Sequence, residues 1–221
     1  MFRLIHLPLS PFCRKVRLVL AEKKLGVELI EEAVWEKRLD FVRQNPAGKV
    51  PVLKFEKKSF SESSAIFEYL EETFPSPKLL PESSIDRAEA RRIMYWFDDK
   101  FHNEVTSKLL YERVNKKLSR TGHPNSKVIK SGIDNFKFHI DYMDWLLEDR
   151  KWLAGNKMTI ADFTAAAHFS VLDYIGDVDW IRSESVKNWY AKIKSRPAFR
   201  SLLTDFLPGF IPSLNYPDLD F

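Results

Sequence analysis

Apolar residues in this chain first fall in short runs and later recur at helical spacing, and the change comes at a proline-rich stretch. Phe2 to Leu7 is an apolar run of the size of a buried strand. Ser10-Pro11 then reads as a helix start, with Ser as N-cap and Pro at the first helical position. Val16, Leu18, Val19, Leu20 and Leu25 give this helix its apolar face. Arg14, Lys15, Arg17, Lys23 and Lys24 are expected mostly to face water, and Gly26 to close the helix. Val27 to Glu32 has the length and mixture of a second strand, and a parallel pair is the default for a strand-helix-strand unit. A short helix over Asp40 to Gln44 and strands over Val50 to Phe55 and Lys58 to Phe60 follow. The connection Glu56-Lys57-Lys58 lacks the Gly or Asn that a tight hairpin turn prefers. Glu62 to Thr73 reads as a helix closed by Phe74 and Pro75.

Pro75-Ser-Pro-Lys-Leu-Leu-Pro81 carries three prolines in seven residues and is the best linker candidate. Beyond it the pattern is helical only. A long periodic stretch runs from Ile85 to about Ser119, and Thr121 to Asn125 breaks it. Helices are expected over Ser126 to Asp149, Thr159 to Ile175, Glu184 to Ser195 and Pro197 to Phe206. The expected organisation is an α/β domain over 1–76, a linker over 77–84, an all-α domain over 85–206 and a proline-rich tail over 207–221.

Composition changes this picture little. The 221 residues are 44% hydrophobic and 30% charged, as in an ordinary globular chain. No apolar run approaches the roughly 18 residues of a membrane span, and the N-terminus lacks a signal-peptide layout. A single cysteine, Cys13, excludes an internal disulfide and fits a reducing, cytoplasmic compartment. A net charge of +4, mixed in sign along the chain, gives no argument for nucleic acid.

Candidate chemistry sits at four places. Asn45-Pro-Ala-Gly-Lys-Val-Pro51 is a loop entering a strand; Val50-Pro51 is trans by default, and a cis bond there would turn the Val50 backbone toward a ligand. Glu62-Ser63 opens a helix, either behind a Ser61 cap or with free amides and a hydroxyl offered to a carboxylate. Ser10 and Cys13 begin the first helix. Both can be structural, or Ser10 can donate to a ligand's thiolate while Cys13, near Arg14 and Lys15, has a lowered pKa. Ser10 outranks Cys13, because the cap position points out of the helix end. Thr159-Ile-Ala-Asp162 is a capping box and a folding signal. His6, His102, His123, His139 and His168 form no metal spacing, so no metal is expected. The tail after Phe206 either seals a groove or serves as an interaction segment.

The succession Ser10-Pro-Phe-Cys-Arg-Lys-Val-Arg17, Asn45 to Pro51, Glu62-Ser63, Trp152-Leu-Ala-Gly155, Thr159 to Asp162 and Arg196-Pro-Ala-Phe199 resembles the cytosolic glutathione S-transferases over about residues 1 to 206. The resemblance implies an α/β thioredoxin-like N-terminal domain, an all-α helical C-terminal domain and a homodimer. It implies glutathione as substrate and a small electrophile as its acceptor. In that reading Pro51 is cis, Val50 pairs with the cysteinyl backbone of glutathione, Glu62 and Ser63 hold the γ-glutamyl end and Lys49 lies near the glycyl carboxylate. Ser10 holds the sulfur as thiolate, and Cys13 keeps open a mixed-disulfide route.

Trp35, the start His6-Leu-Pro-Leu and the ending Tyr216-Pro-Asp-Leu-Asp-Phe221 are also similar to a bacterial branch of transferase-like cell-division proteins that bind the tubulin-like protein FtsZ. That resemblance implies partner contacts through Trp35, Tyr216, Asp218, Leu219, Asp220 and Phe221.

Overall fold

The computed structural model describes residues 1–219. Strand β1 (Phe2–His6) leads into helix α1 (Pro11–Glu22), and β2 (Val27–Glu31) returns parallel to β1. A short helix α2 (Leu39–Gln44) precedes β3 (Val52–Phe55), which pairs antiparallel with β1 and, through a tight turn, with β4 (Lys58–Ser61). Helix α3 (Ser63–Thr73) follows, and the sheet order is β2-β1-β3-β4. The expected hairpin forms without Gly or Asn because Glu56 itself takes the left-handed conformation, at φ 53°.

The remainder is helical. Helix α4 (Ser84–Tyr95) continues without a break into a π-helical stretch, Trp96–Thr106, and the helical path runs on to Ser119. Helices Ser126–Glu148, Ile160–Tyr174 and Glu184–Lys194 and the short turn Arg200–Leu203 complete it. Every residue of Ile160–Tyr174 is buried, so this helix is the axis around which the others pack. One apolar cluster runs from Phe2, Leu4 and Leu53 through Phe67 and Leu70 to Phe97, Phe163 and Trp189. Sheet and helices therefore share a core.

The polar face expected of α1 is not polar in its surroundings. Arg14, Lys15, Arg17 and Lys23 are all buried, and only Lys24 faces water. The reason lies far along the chain. α1 packs between α3 and Ile160–Tyr174, and carboxylates from later elements meet its cations. The helix also ends earlier than Gly26. Lys24, at φ 56°, takes the left-handed position, and Leu25 N–H donates to Leu20 O at 2.8 Å.

The proline-rich stretch after α3 is tied down. Lys23 Nζ donates to Phe74 O at 2.7 Å and Pro77 O at 2.9 Å, and Glu71 Oε1 accepts from Leu79 and Leu80 N–H. The Thr159 to Asp162 capping box forms as read. Asp162 accepts from Thr159 N–H at 2.9 Å, Leu153 N–H at 3.0 Å and Trp189 Nε1–H at 2.9 Å. Among the described residues no helix is long and apolar enough to cross a membrane.

Candidate functional site

A cleft of about 730 Å³ lies between the edge of the sheet unit and the helices. That volume suits a small peptide together with a second small molecule. Three loops from the sheet unit form one wall, the π-helical stretch forms the opposite wall, and Leu207 of the tail lines it as well.

The first loop is the turn after β1. Ser10 N–H donates to Leu7 O at 3.1 Å, and Ser10 caps α1 in an extended conformation. Its Oγ accepts from Cys13 N–H at 3.4 Å, and its hydroxyl is also within hydrogen-bonding reach of the Cys13 thiol. A donor at the positive end of a helix is the chemistry that stabilises an anion such as a thiolate. Cys13 does not line the cleft. It is fully buried, and burial pushes its thiol up to about 11, reversing the lowered pKa expected of it. A buried, protonated thiol neither attacks nor forms a mixed disulfide.

In the second loop, Asn45 is buried and its Nδ2 donates to Lys49 O at 2.7 Å. Gly48, at φ 62°, closes the turn with its N–H on Asn45 O at 2.8 Å. The left-handed angle makes glycine the natural residue there. Val50-Pro51 is cis, and Lys49, Val50 and Pro51 all line the cleft.

The third loop reaches the N-terminus of α3. The N-cap is Glu62, not Ser61, and no side chain caps the helix. Glu62 sits at φ 67°, a strained conformation for a residue with a Cβ, of the kind that collects at ligand sites. The first helical bond is Ile66 N–H to Glu62 O at 2.9 Å, so the amides before it remain open toward the cleft. Glu62, Ser63 and Ser64 line the cleft.

The opposite wall brings residues that no local motif announces. Asp98, Asp99 and His102 line the cleft from the π-helical stretch. Lys15 ion-pairs with Asp98, whose Oδ2 also accepts from Ser64 Oγ–H at 3.2 Å. Burial works against the charged form of Asp98, but Lys15 and His168 beside it outweigh that and lower its pKa. Burial, followed by the nearby His168, takes His102 down to about 4, so it is neutral at pH 7. Asp98 Oδ1, His102 Nδ1 and His168 Nε2 are buried and lack hydrogen-bond partners among the described residues. Among those residues no group of His, Cys, Asp or Glu is arranged to hold a metal ion.

The residues expected to meet a partner are divided. Trp35 is half-buried and lines the cleft. Tyr216 is buried, with 1% of its surface exposed, so it anchors the tail and offers no free face to a partner. Its hydroxyl donates to Leu202 O at 2.6 Å and its ring stands edge-on to Tyr174. Asp218 and Leu219 are exposed; Asp220 and Phe221 lie outside the described residues.

A small mixed sheet, a cis-proline loop and an uncapped helix facing an all-helical half are the features of one protein family, and comparison with known proteins agrees. The glutathione S-transferase N-terminal domain matches residues 4–78 and the C-terminal domain residues 133–204. The chain belongs to the glutathione S-transferase family. A curated relative, FtsZ-localized protein A of Caulobacter vibrioides, is 46% identical over 220 residues, covering 98% of this chain and 96% of that protein. A probable glutathione S-transferase of Solanum tuberosum is 29% identical over 193 residues, covering 86% and 82%. Among solved structures, FzlA from C. crescentus superimposes with a TM-score of 0.97 at 45% identity, covering 100% of this chain and 99% of that one. A glutathione S-transferase from Rhodospirillum rubrum F11 gives 0.97 at 46% identity, covering 100% of each.

Proposed function

We propose that this chain is a transferase-fold protein of bacterial cell division that works in the cytoplasm by binding the tubulin-like protein FtsZ. The observation that carries this reading is the 46% identity to an FtsZ-localized protein over 98% of the chain. The exposed end beyond Tyr216, with Asp218 and Leu219, is the natural contact segment; Trp35 at the cleft is a second candidate. The test is co-sedimentation of the purified chain with FtsZ polymers. The full chain should pellet with polymer, and a chain ending at Tyr216 should not. Failure of the full chain to pellet would sink the reading.

A second reading is favoured by the cleft itself. The Ser10 hydroxyl lining the cleft at the start of α1 and the open amides at α3 suit glutathione bound as thiolate, with Lys49, Val50, Pro51, Glu62 and Ser63 along its backbone and carboxylates. The sulfur would then attack an electrophilic carbon, forming a C–S bond as a leaving group departs or a proton is added. Calorimetric titration with glutathione decides it: no heat of binding removes glutathione as ligand. A homodimer, which the family implies, belongs to the same proposal.

A further inference from the structure

The Ser10 turn and the C-terminal tail meet in one buried side chain. Arg14 is fully buried, and each arm of its guanidinium has a different partner. Nε donates to Pro8 O at 2.7 Å, inside the turn that presents Ser10. Nη1 donates to Ser170 Oγ at 2.9 Å on the central helix. Nη2 donates to Asp205 Oδ2 at 3.0 Å, where the helical half ends and the tail begins. Arg17 holds the same carboxylate from its other side, at 2.9 Å to each oxygen. The Tyr216 ring covers Arg14, 5.6 Å from its guanidinium carbon.

The tail between these anchors is fastened along its length. Tyr174 Oη accepts from Leu207 N–H at 3.1 Å and donates to Phe210 O at 3.2 Å. Ser213 Oγ donates to Asp173 O at 2.7 Å, and Lys194 Nζ donates to Asn215 O at 2.6 Å. Leu9, the residue before Ser10, packs in the same apolar cluster as Tyr216, with Leu207 against it. The turn is thus gripped twice, by a charged hydrogen bond to its carbonyl and by apolar contact with the tail.

We propose that Arg14 is the positioning residue of the Ser10 turn, and that the C-terminal strap, through Asp205 and Tyr216, holds Arg14 in place. A partner that pulls on the end of the tail then acts on the geometry of Ser10, and a thiol ligand at Ser10 acts back on the tail. The inference rests on the reading of the cleft as a glutathione site for its ligand, but not for its mechanics. Asp205→Asn keeps the shape of the side chain and removes the charge that fixes both arginines.

Two measurements on the full chain test it. The first is the pH dependence of thiolate absorbance of bound glutathione, with the rate of conjugation; the second is amide hydrogen exchange. Asp205→Asn should raise the pH at which the bound thiol ionises and lower kcat/KM by roughly tenfold or more. It should speed exchange at residues 7–13 while leaving the Thr159 to Asp162 cap at its native rate. Asp205→Glu, which restores the charge, should recover part of both effects. Asp141→Asn, which removes a carboxylate from the exposed Arg182 pair and touches neither cleft nor strap, should leave the thiol ionisation where it was. An unchanged ionisation with unchanged exchange at the turn overturns the proposal, as does exchange that rises equally at turn and cap. If the unaltered chain binds no glutathione, the cleft reading fails by itself, and exchange at the turn alone then decides for or against Arg14.

Discussion

His6 and His102 contribute to the pH dependence expected of this chain, and burial shifts His139 and His168 in the same direction. Burial, and then the positive charge of Arg17, take His6 down to about 4, with Arg14 adding and Asp205 opposing. His102 is lowered to about the same value. An unfolded histidine titrates near 6.5, so as pH falls the unfolded chain takes up protons first. The stability each contributes is therefore full above about pH 6.5 and is lost as pH falls toward 4. For His6, which is 3% exposed, this amounts to about 3 kcal/mol at most. Melting temperature should be level just above neutrality and decline between pH 6.5 and 4, and His6→Gln should flatten that decline. An equally steep decline in His6→Gln would place its origin elsewhere.

At the scale of elements, the sharpest constraint is where the helix Ser126–Glu148 crosses the end of the long helical path at Gly132. A Cβ there would stand 2.9 Å from Leu109 Cδ2, and Leu109 is fully buried. Alanine would favour the helix by about 1 kcal/mol, while overpacking a tight core costs about 1–3 kcal/mol. Gly132→Ala is therefore expected to lower the unfolding free energy in a denaturant titration, against helix propensity; a gain would mean that Leu109 yields freely. Element ends show what a sequence makes legible. The caps at Ser10-Pro11 and Thr159 to Asp162 lie within a few residues of what they satisfy, so they could be read locally. The loop at Asn45 to Pro51 was readable for the same reason. The burial of Arg14, Lys15, Arg17 and Lys23 was not, because their partners Asp205, Asp98 and Glu71 are distant in sequence. Nor does any local pattern announce the π-helical stretch that brings Asp98 and His102 to the cleft.

On the scale of the whole molecule, the tail divides at Tyr216. Up to that residue it belongs to the fold, and beyond it the described residues are exposed. Removal of Asn215 to Phe221 would therefore take out a core side chain and confuse loss of partner with loss of structure. Tyr216→Ala should cost about 3–5 kcal/mol in stability. A chain ending at Tyr216 should melt as the full chain does. Thermal denaturation of the two side by side checks the division, and equal losses would show that the fold needs the last residues too.

The Arg14 to Asp205 pair also orders events during synthesis. The arginine is made 191 residues before its carboxylate. While the sheet unit is emerging, Arg14, Lys15 and Arg17 on the helix that carries Ser10 have no acid to meet, and its apolar face has no central helix to cover it. Long-range contacts of this kind form late. The first loop of the cleft thus leaves the ribosome well before the residues that fix it, and is set only once they arrive.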